Sequence, residues 1–406
     1  MNKGKVLFIA HRIPYPPNKG DKIRTYHMLR YLTERYQVAV ACMIDDPVDL
    51  EYLEPVRRMA DQVFYALRRP LAMKFKVLEA VLSGEPFTKL CFYSSTLQKD
   101  IDDFLEGNDV KAVICFCSSS AEYVFRSRHF ASLQKKVLLA DLIDVDSEKW
   151  QQYAEKKTGV MRWLYRREAE HLRPYEQQII NAFDQTFLVS EEERNVMDKF
   201  ANVTKVEALS NGVDLDYFSP ETHRGGEVNQ KACKLVFSGA MDYWPNIEGA
   251  AWFAEKIFPL VKESFPQATF CIAGRNPTES VLALKKINGV VVTGTVPDMR
   301  NYLATATICV VPLKIARGIQ NKVLEAMAMG KPVIATSGAA TGTKTVTGKE
   351  LVIADEEQQM ADEIIALLAD PVRQSDMGRK ARDYVEREHS WGAHLARLDE
   401  IIEGKS

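Results

Sequence analysis

Between Gly318 and Glu325 the chain reads GIQNKVLE, a glycine followed by polar residues, a lysine and a carboxylate. Apolar runs of strand length flank it, at Ile308–Val311 and Pro332–Thr336. The whole segment therefore reads as strand, glycine loop, short helix, Gly–Lys–Pro stop and strand, a parallel βαβ crossover. Gly318, Ile319, Gln320 and Asn321 fall where the loop becomes the helix. A helix N-terminus offers unpaired N–H groups and the positive end of a dipole, which suits a phosphate. Lys322 adds a cation, and Glu325, one turn after Asn321, adds a carboxylate able to accept from sugar hydroxyls. Gly330 and Pro332 then stop the helix. Amides and a cation for a diphosphate, with a carboxylate for a ribose, is the chemistry this spacing could do.

A second candidate set follows the apolar run Val137–Ala140, where Asp141-Leu-Ile-Asp144-Val-Asp146-Ser147 puts three carboxylates at the C-terminal end of a strand. Open α/β sheets place their ligands at that end. Asp144 is the candidate to position an acceptor or act as base, Asp141 is a further acceptor-side candidate, and Asp146 or Ser147 reads as the cap of the helix carrying Trp150. Asp144-Val-Asp146 also has the D-x-D form that holds divalent metals elsewhere, a three-residue match common by chance. A third set lies in the loop after the first apolar run: Pro17–Arg24 carries Gly20, Asp21 and three basic residues including Arg24. It lacks G-x-G-x-x-G, which argues against a dinucleotide.

The elements that would position these groups are legible as alternation. Strands are expected at Lys5–Ala10, Val38–Cys42, Val63–Ala66, Ala112–Cys117, Val137–Ala140 and Gln185–Val189. After the charged, Gly-rich stretch Glu221–Lys234 they recur at Leu235–Ser238, Ala268–Ala273, Val290–Thr293, Ile308–Val311, Val333–Ala335 and Glu350–Ile353. Helical periodicity falls between them, with an amphipathic helix from Asp21 on Ile23, Tyr26, Leu29, Arg30 and Leu32 and a single helix over Ile247–Ser264. Two α/β series joined by a polar linker predict two facing Rossmann-like domains with a cleft between them. At 406 residues the chain has room for two cores.

Bulk properties exclude several classes. With 53 basic and 55 acidic residues there is no basic excess to suggest nucleic acid. The seven cysteines are scattered and mostly inside apolar runs, as in a reduced cytoplasmic protein. Cys115-x-Cys117 has no second pair at zinc spacing. The N-terminal run reads as a strand rather than a signal peptide, and no run approaches the roughly 20 apolar residues of a membrane span. Two basic–apolar stretches, Arg68–Lys76 and Lys156–Tyr175, have the composition of segments that lie on an anionic membrane surface.

With NGVD at Asn211–Asp214, the strand–Gly at Phe237–Gly239, Ala273–Gly274, Val296–Asp298 and LEAMAMGKPVIAT in this order, the chain resembles a GT-B glycosyltransferase of family 4 (group 1), and within it the sugar transferases of exopolysaccharide and PEP-CTERM gene clusters. The resemblance implies a retaining transfer of a sugar from a UDP- or GDP-linked donor to a hydroxyl of a lipid-linked or glycan acceptor, without metal or other cofactor; the cysteines point to the cytoplasm, and the two basic–apolar stretches to peripheral contact at the inner face of the plasma membrane. It implies an acceptor domain over 1–212, a donor domain over 213–388, and a last helix, 389–406, packed back on the first. Gly20, Asp21, Gly239, Arg275, Val296 and the Gly318–Asn321 turn would contact the donor, with Glu325 on its ribose and Lys322, Arg317 and Asp144 in catalytic roles. Two positions depart from the family. Arg317 stands where its first motif glutamate is expected, and Ile143 stands where a histidine precedes the equivalent of Asp144. The basic pair that binds diphosphate from the first strand and helix of the second domain is also replaced, at Ala240 or Met241 and at Asn246. A nucleotide-sugar epimerase or a non-catalytic sugar-nucleotide-binding protein would share the fold and donor, whereas a two-domain solute-binding protein should carry an export signal.

Overall fold

The computed structural model describes residues 4–17, 20–68, 70–223, 234–315 and 320–404. They form two α/β units, Met1–Ser210 with Leu395–Ser406, and Asn211–His394.

The first unit holds seven parallel strands: β1 (Lys5–Ala10), β2 (Gln37–Ile44), β3 (Gln62–Leu67), β4 (Val110–Phe116), β5 (Val137–Ile143), β6 (Gln185–Leu188) and β7 (Val206–Ala208), in the order β3-β2-β1-β4-β5-β6-β7. Its central strands are buried along nearly their whole length, as strands covered by helices on both faces must be. The strand order reverses between β1 and β4, so the C-terminal ends of these strands bound the crevice where doubly wound sheets take ligands. Helix Gly20–Thr33 follows β1. Its inward face is not the aliphatic stripe expected from Ile23 and Tyr26, which are only half-buried. It carries Lys22, Arg24 and His27 together with Met28, Leu29, Tyr31 and Leu32. Those charges are buried because each cation finds a carboxylate: Lys22 meets Asp49 at 2.9 Å and Arg24 meets Asp141 at 2.6 Å.

Buried glutamates position other helix starts. Ser147 N–H and Oγ–H donate to Glu176 at the beginning of helix Asp146–Glu155, and Phe87 and Thr88 N–H donate to Glu168 at the beginning of Phe87–Cys91. These acceptors satisfy N–H groups that have no partner inside the helix. The N-cap residue of Asp146–Glu155 is Val145, so neither Asp146 nor Ser147 fills the capping role expected of them. Ser190 does cap its helix, accepting from Glu193 N–H, while the Glu193 carboxylate accepts from Val145 N–H.

The second unit repeats the plan with six parallel strands: β8 (Lys234–Ser238), β9 (Thr269–Ala273), β10 (Val290–Val292), β11 (Ile308–Val311), β12 (Val333–Ala335) and β13 (Val352–Ile353), in the order β10-β9-β8-β11-β12-β13. Its crevice lies between β8 and β11. The single helix expected over Ile247–Ser264 is interrupted. Trp244–Trp252 passes through a π turn, Phe253–Ile257, into Phe258–Ser264. Pro259 stands in the first turn of the last piece, and a proline with no N–H cannot continue the preceding ladder. Among the described residues no helix is long and apolar enough to cross a membrane.

Candidate functional site

The helix expected after the glycine loop is present as Asn321–Ala328, with Gln320 as its N-cap residue. Its far end is fixed firmly. Lys331 N–H donates to Ala326 C=O and Gly330 N–H to Met327 C=O, the two bonds of a Schellman cap, with Gly330 at φ 64°. Arg382 donates to Ala328 C=O and Phe218 C=O at 2.6 Å each, and helix Pro371–Glu388 crosses so closely that a Cβ on Gly378 would lie 2.1 Å from Gly330 O. Val323, Leu324, Ala326, Met327 and Ala328 fill the core beneath. The first turn is left at the C-terminal ends of β8 and β11.

There Lys322 Nζ donates to Asn246 Oδ1 at 2.5 Å, and Asn246 Nδ2 donates to Ala240 O at 2.8 Å. The ammonium also stands 4.9 Å from the centre of the Phe237 ring. Gly239 makes this arrangement possible, because a Cβ there would lie 2.8 Å from Asn246 Nδ2 and 3.0 Å from Lys322 Nζ. Gly274, at the end of β9, is packed still closer: its Cβ would lie 1.6 Å from Gly239 O. Asn246 occupies the place where the resembled family has a lysine, and the Lys322 side chain delivers an ammonium to that same place from the neighbouring helix. Asn321 Oδ1 is buried and has no hydrogen-bond partner among the described residues.

Lys322 and Glu325 are half-buried one turn apart. Burial pulls the Lys322 ammonium down to about 8, with the Glu325 charge opposing it. Burial pushes the Glu325 carboxyl up to about 7, with Lys322 opposing. Each charge is thus under-solvated and only partly neutralised by the other, a state that an incoming anion and a hydroxyl donor would relieve.

The other expected donor residues follow the neighbouring strands β9 and β10. Arg275 is exposed just past β9, its carbonyl accepting from Met241 N–H. Val296 is half-buried in the loop after β10, next to Asp298, whose carboxylate is held by the Arg300 guanidinium and N–H. Arg317, Gly318 and Ile319 lie outside the described residues.

In the first unit, Asp21 receives His11 Nε2 at 3.3 Å and Arg12 Nη1 at 2.9 Å. Burial alone would raise its carboxyl, but the hydrogen bonds and charges of His11 and Arg12 outweigh that and hold it well below the usual range. Arg12 continues to Asp45 at 2.5 Å, and Asp45 to Arg68 at 3.0 Å. His11 is buried, stacked on Phe116 with ring centres 5.7 Å apart, and its Nδ1 has no hydrogen-bond partner among the described residues. Gly20, at the exposed first position of the helix, adjoins this network. The sequence reading named Asp21 and missed His11, Arg12, Asp45 and Arg68. The available signal was that His11, Asp45 and Arg68 each directly follow an apolar run, at the ends of β1, β2 and β3.

Asp144 is half-buried at the end of β5 and paired with Lys149, which also lies 3.8 Å from Asp146. Asp146 accepts from Ser118 Oγ–H at 2.9 Å. An ammonium therefore stands between the two carboxylates of the D-x-D. Asp141 and Arg24 correct the expectation of acceptor contact: both side chains are 1% exposed and joined by two hydrogen bonds. Asp141 also accepts from Ile143 N–H at 3.3 Å. Their role is to hold helix Gly20–Thr33 on β5 and to support the turn at Ile143. That turn is strained. Ile143 has φ 69° and Cys117, at the end of adjacent β4, has φ 67°, a region that costs non-glycine residues about 1–3 kcal/mol and that clusters at functional sites.

Residues 232–370 match the family model of glycosyl transferases group 1. A GDP-mannose-dependent monoacylated alpha-(1-6)-phosphatidylinositol monomannoside mannosyltransferase of Corynebacterium glutamicum is 31% identical over 232 residues, 52% of this chain and 60% of that protein. An uncharacterized 44.6 kDa protein in the cps region of Klebsiella pneumoniae is 22% identical over 373 residues, 89% of this chain and 90% of that one. Among solved structures, sucrose-phosphate synthase from Thermosynechococcus elongatus superposes with a TM-score of 0.69 at 16% identity, covering 99% of both chains. Anabaena HepE in complex with UDP gives 0.64 at 12% identity, covering 98% of this chain and 100% of that one. The fold is GT-B, with two Rossmann-like sheets.

Proposed function

Starting from a chain of GT-B fold that carries a group 1 glycosyltransferase domain, we propose that it is a retaining glycosyltransferase that moves a sugar from a nucleotide-diphosphate donor to a hydroxyl on a lipid-linked or glycan acceptor in the assembly of an exopolysaccharide or other cell-surface glycan. The observation that carries this reading is the Lys322 ammonium held by Asn246 beside Gly239, one turn from Glu325. As the glycosidic bond breaks, the leaving nucleoside diphosphate gains negative charge. A cation already in place stabilises that charge without reorganisation, commonly the largest catalytic term. Lys322, the N–H groups at Gln320 and Asn321, and Arg275 serve the diphosphate, with Gly239 allowing its close approach; Arg317, Gly318 and Ile319 are assigned to the same ligand from the sequence alone. Glu325 accepts from the ribose, and the backbone around Val296 meets the base. Of the first unit, Asp21 and Gly20, and Asp144 with Lys149, are assigned to the transferred sugar and the acceptor.

The donor is UDP- or GDP-linked. HepE was solved with UDP and the Corynebacterium relative is named for GDP-mannose, so both belong in the test. The transfer itself needs no resident metal in this scheme, because Lys322 supplies the charge. The enzyme acts on the cytoplasmic side, at the inner face of the plasma membrane. We assign acceptor-side groups to residues 1–212 with 389–406 and donor-side groups to 213–388.

Thermal unfolding with UDP, GDP and their sugar conjugates tests the donor assignment. A ligand at about 100 times its dissociation constant adds about 2.7 kcal/mol, and Lys322→Ala should abolish most of that gain. Full stabilisation of the alanine variant would reject the site. Incubation with donor alone separates transfer from epimerisation, since an epimerase converts the donor without an acceptor.

A further inference from the structure

We propose that the outer sides of helices Pro70–Ser83 and Gly159–Ala182, in the first unit, form a face that lies on an anionic lipid bilayer. This deepens the reading of a lipid-linked acceptor and rests on it for its biological sense, but its physical basis is separate.

Helix Pro70–Ser83 is built the wrong way round for a helix in water. Among its described side chains Ala80 is fully buried, while Phe75 is 73%, Leu78 56% and Leu82 79% exposed. These three recur at i, i+3 and i+7, one face of a helix. A stripe that should face a core faces outward instead. At the start of Gly159–Ala182, Val160 is 77%, Met161 43% and Trp163 55% exposed. The two helices belong to one surface region. Val77 of the first and Leu164 of the second pack on the same small cluster of Ala80, Phe87, Leu90 and Cys91, and Arg167 donates from the second helix to the Ala80 and Glu85 carbonyls. Isolated exposed apolar residues are normal, but six drawn from two adjoining helices mark a contact surface.

The charges beside them select the occupant. Lys74, Lys156, Lys157 and Arg162 are exposed among or next to the apolar side chains, and outnumber the exposed carboxylates Glu79 and Glu155 of the same segments. The core of an interface with a folded partner is depleted in lysine. Apolar side chains interleaved with lysine and arginine instead match an interface in which hydrocarbon enters the acyl region and the long cationic chains reach the headgroups. Trp163 is of the type enriched at that boundary. Facing basic residues, the complementary surface is a negatively charged leaflet.

The test uses the full chain and vesicles of phosphatidylcholine with and without phosphatidylglycerol. Co-sedimentation should be strong only with phosphatidylglycerol and should weaken with salt. Trp163 emission should shift to the blue on binding, and Trp163→Phe should lose that shift. Phe75→Ser and Leu82→Ser should each reduce partition about 10-fold, and Lys156→Gln and Lys157→Gln about 5-fold each. Partition that is absent, indifferent to phosphatidylglycerol or unchanged in these variants overturns the proposal. So does lipid-free self-association that Phe75→Ser and Leu82→Ser abolish, which would assign the face to a second copy of the chain. Nucleotide stabilisation of the same variants reports that they are folded. It also separates the two readings: loss of lipid binding with nucleotide binding intact rejects only the membrane face, and the converse rejects only the donor site.

Discussion

Replacing Lys322 by methionine should leave the free protein about as stable as before and the nucleotide-bound protein much less so. Methionine keeps the length of the side chain and removes its charge. Burial lowers the ammonium from 10.5 to about 8, which corresponds to about 3 kcal/mol, or about 2 kcal/mol after allowing for the part of the side chain that faces solvent. That cost disappears in the variant. Against it stands the lost hydrogen bond from the charged ammonium to Asn246 Oδ1, about 1.5–3 kcal/mol. The two terms nearly cancel, so the melting temperature of the free protein should move by no more than about 2–4 °C. Binding behaves differently. Loss of a charge-assisted bond to phosphate costs about 1.5–3 kcal/mol, so nucleotide affinity should fall about 10- to 100-fold. At a concentration giving the wild type about 2.7 kcal/mol of stabilisation, a 100-fold weaker variant retains only about 0.4 kcal/mol. Differential scanning fluorimetry with and without UDP or GDP measures both terms. A variant that keeps the full nucleotide shift would refute the idea that a cation waits here for a diphosphate.

Nucleotide affinity should fall about tenfold per pH unit above about pH 8, where the Lys322 ammonium deprotonates, and calorimetry in buffers of different ionisation enthalpy should show proton uptake there. The stability of the free second unit should move the other way, because between about 8 and 10.5 the unfolded chain binds the extra proton, so stability attributable to Lys322 rises with pH. Glu325, held up at about 7, makes its largest stabilising contribution below its unfolded value of 4.5 and loses it as pH rises through 7, so Glu325→Gln should stabilise the free protein above neutrality in urea titrations. Breaking the buried Arg24–Asp141 pair with Arg24→Met alone should cost about 3–5 kcal/mol, while Arg24→Met with Asp141→Leu should recover most of it. Equal losses in the single and double variants would show that the pair does not act as a unit.

Much of the architecture was legible because its strands are buried on both faces and therefore appear as unbroken apolar runs. Ile308–Val311 and Val333–Ala335 stand in the fold as the sequence suggests. What was not legible depended on tertiary context. The strand Val206–Ala208 has only three residues, at the edge of its sheet, too few to show a period. The helix Gly159–Ala182 runs through Pro174, where local chemistry predicts a break, because its inward residues Leu172, Tyr175 and Ile179 are buried on both sides of the proline. Helix Glu357–Ala369 has no counterpart among the expected elements, although its buried Met360, Ala361, Ile364, Leu367 and Leu368 follow a helical period.

The candidate site divides in the same way. Gln320, Asn321, Lys322 and Glu325 were recognisable because they are close in sequence and one helix turn displays them together. That Lys322 reaches Asn246, 76 residues away, required the fold. The His11–Asp21–Arg12–Asp45–Arg68 network was invisible for the same reason, since it joins the ends of three strands that are neighbours only in the sheet. Arg24 and Asp141 were misread because a carboxylate at the end of a strand resembles a ligand until its cation, 117 residues away, is seen to bury it.

A crystal structure of the protein with UDP or GDP tests the donor site most directly. The diphosphate should lie with an oxygen about 3 Å from Lys322 Nζ, over the N–H groups of the Gln320–Asn321 turn, with the ribose hydroxyls on Glu325. A nucleotide bound away from β8 and β11, with Lys322 still engaged only by Asn246, would contradict it.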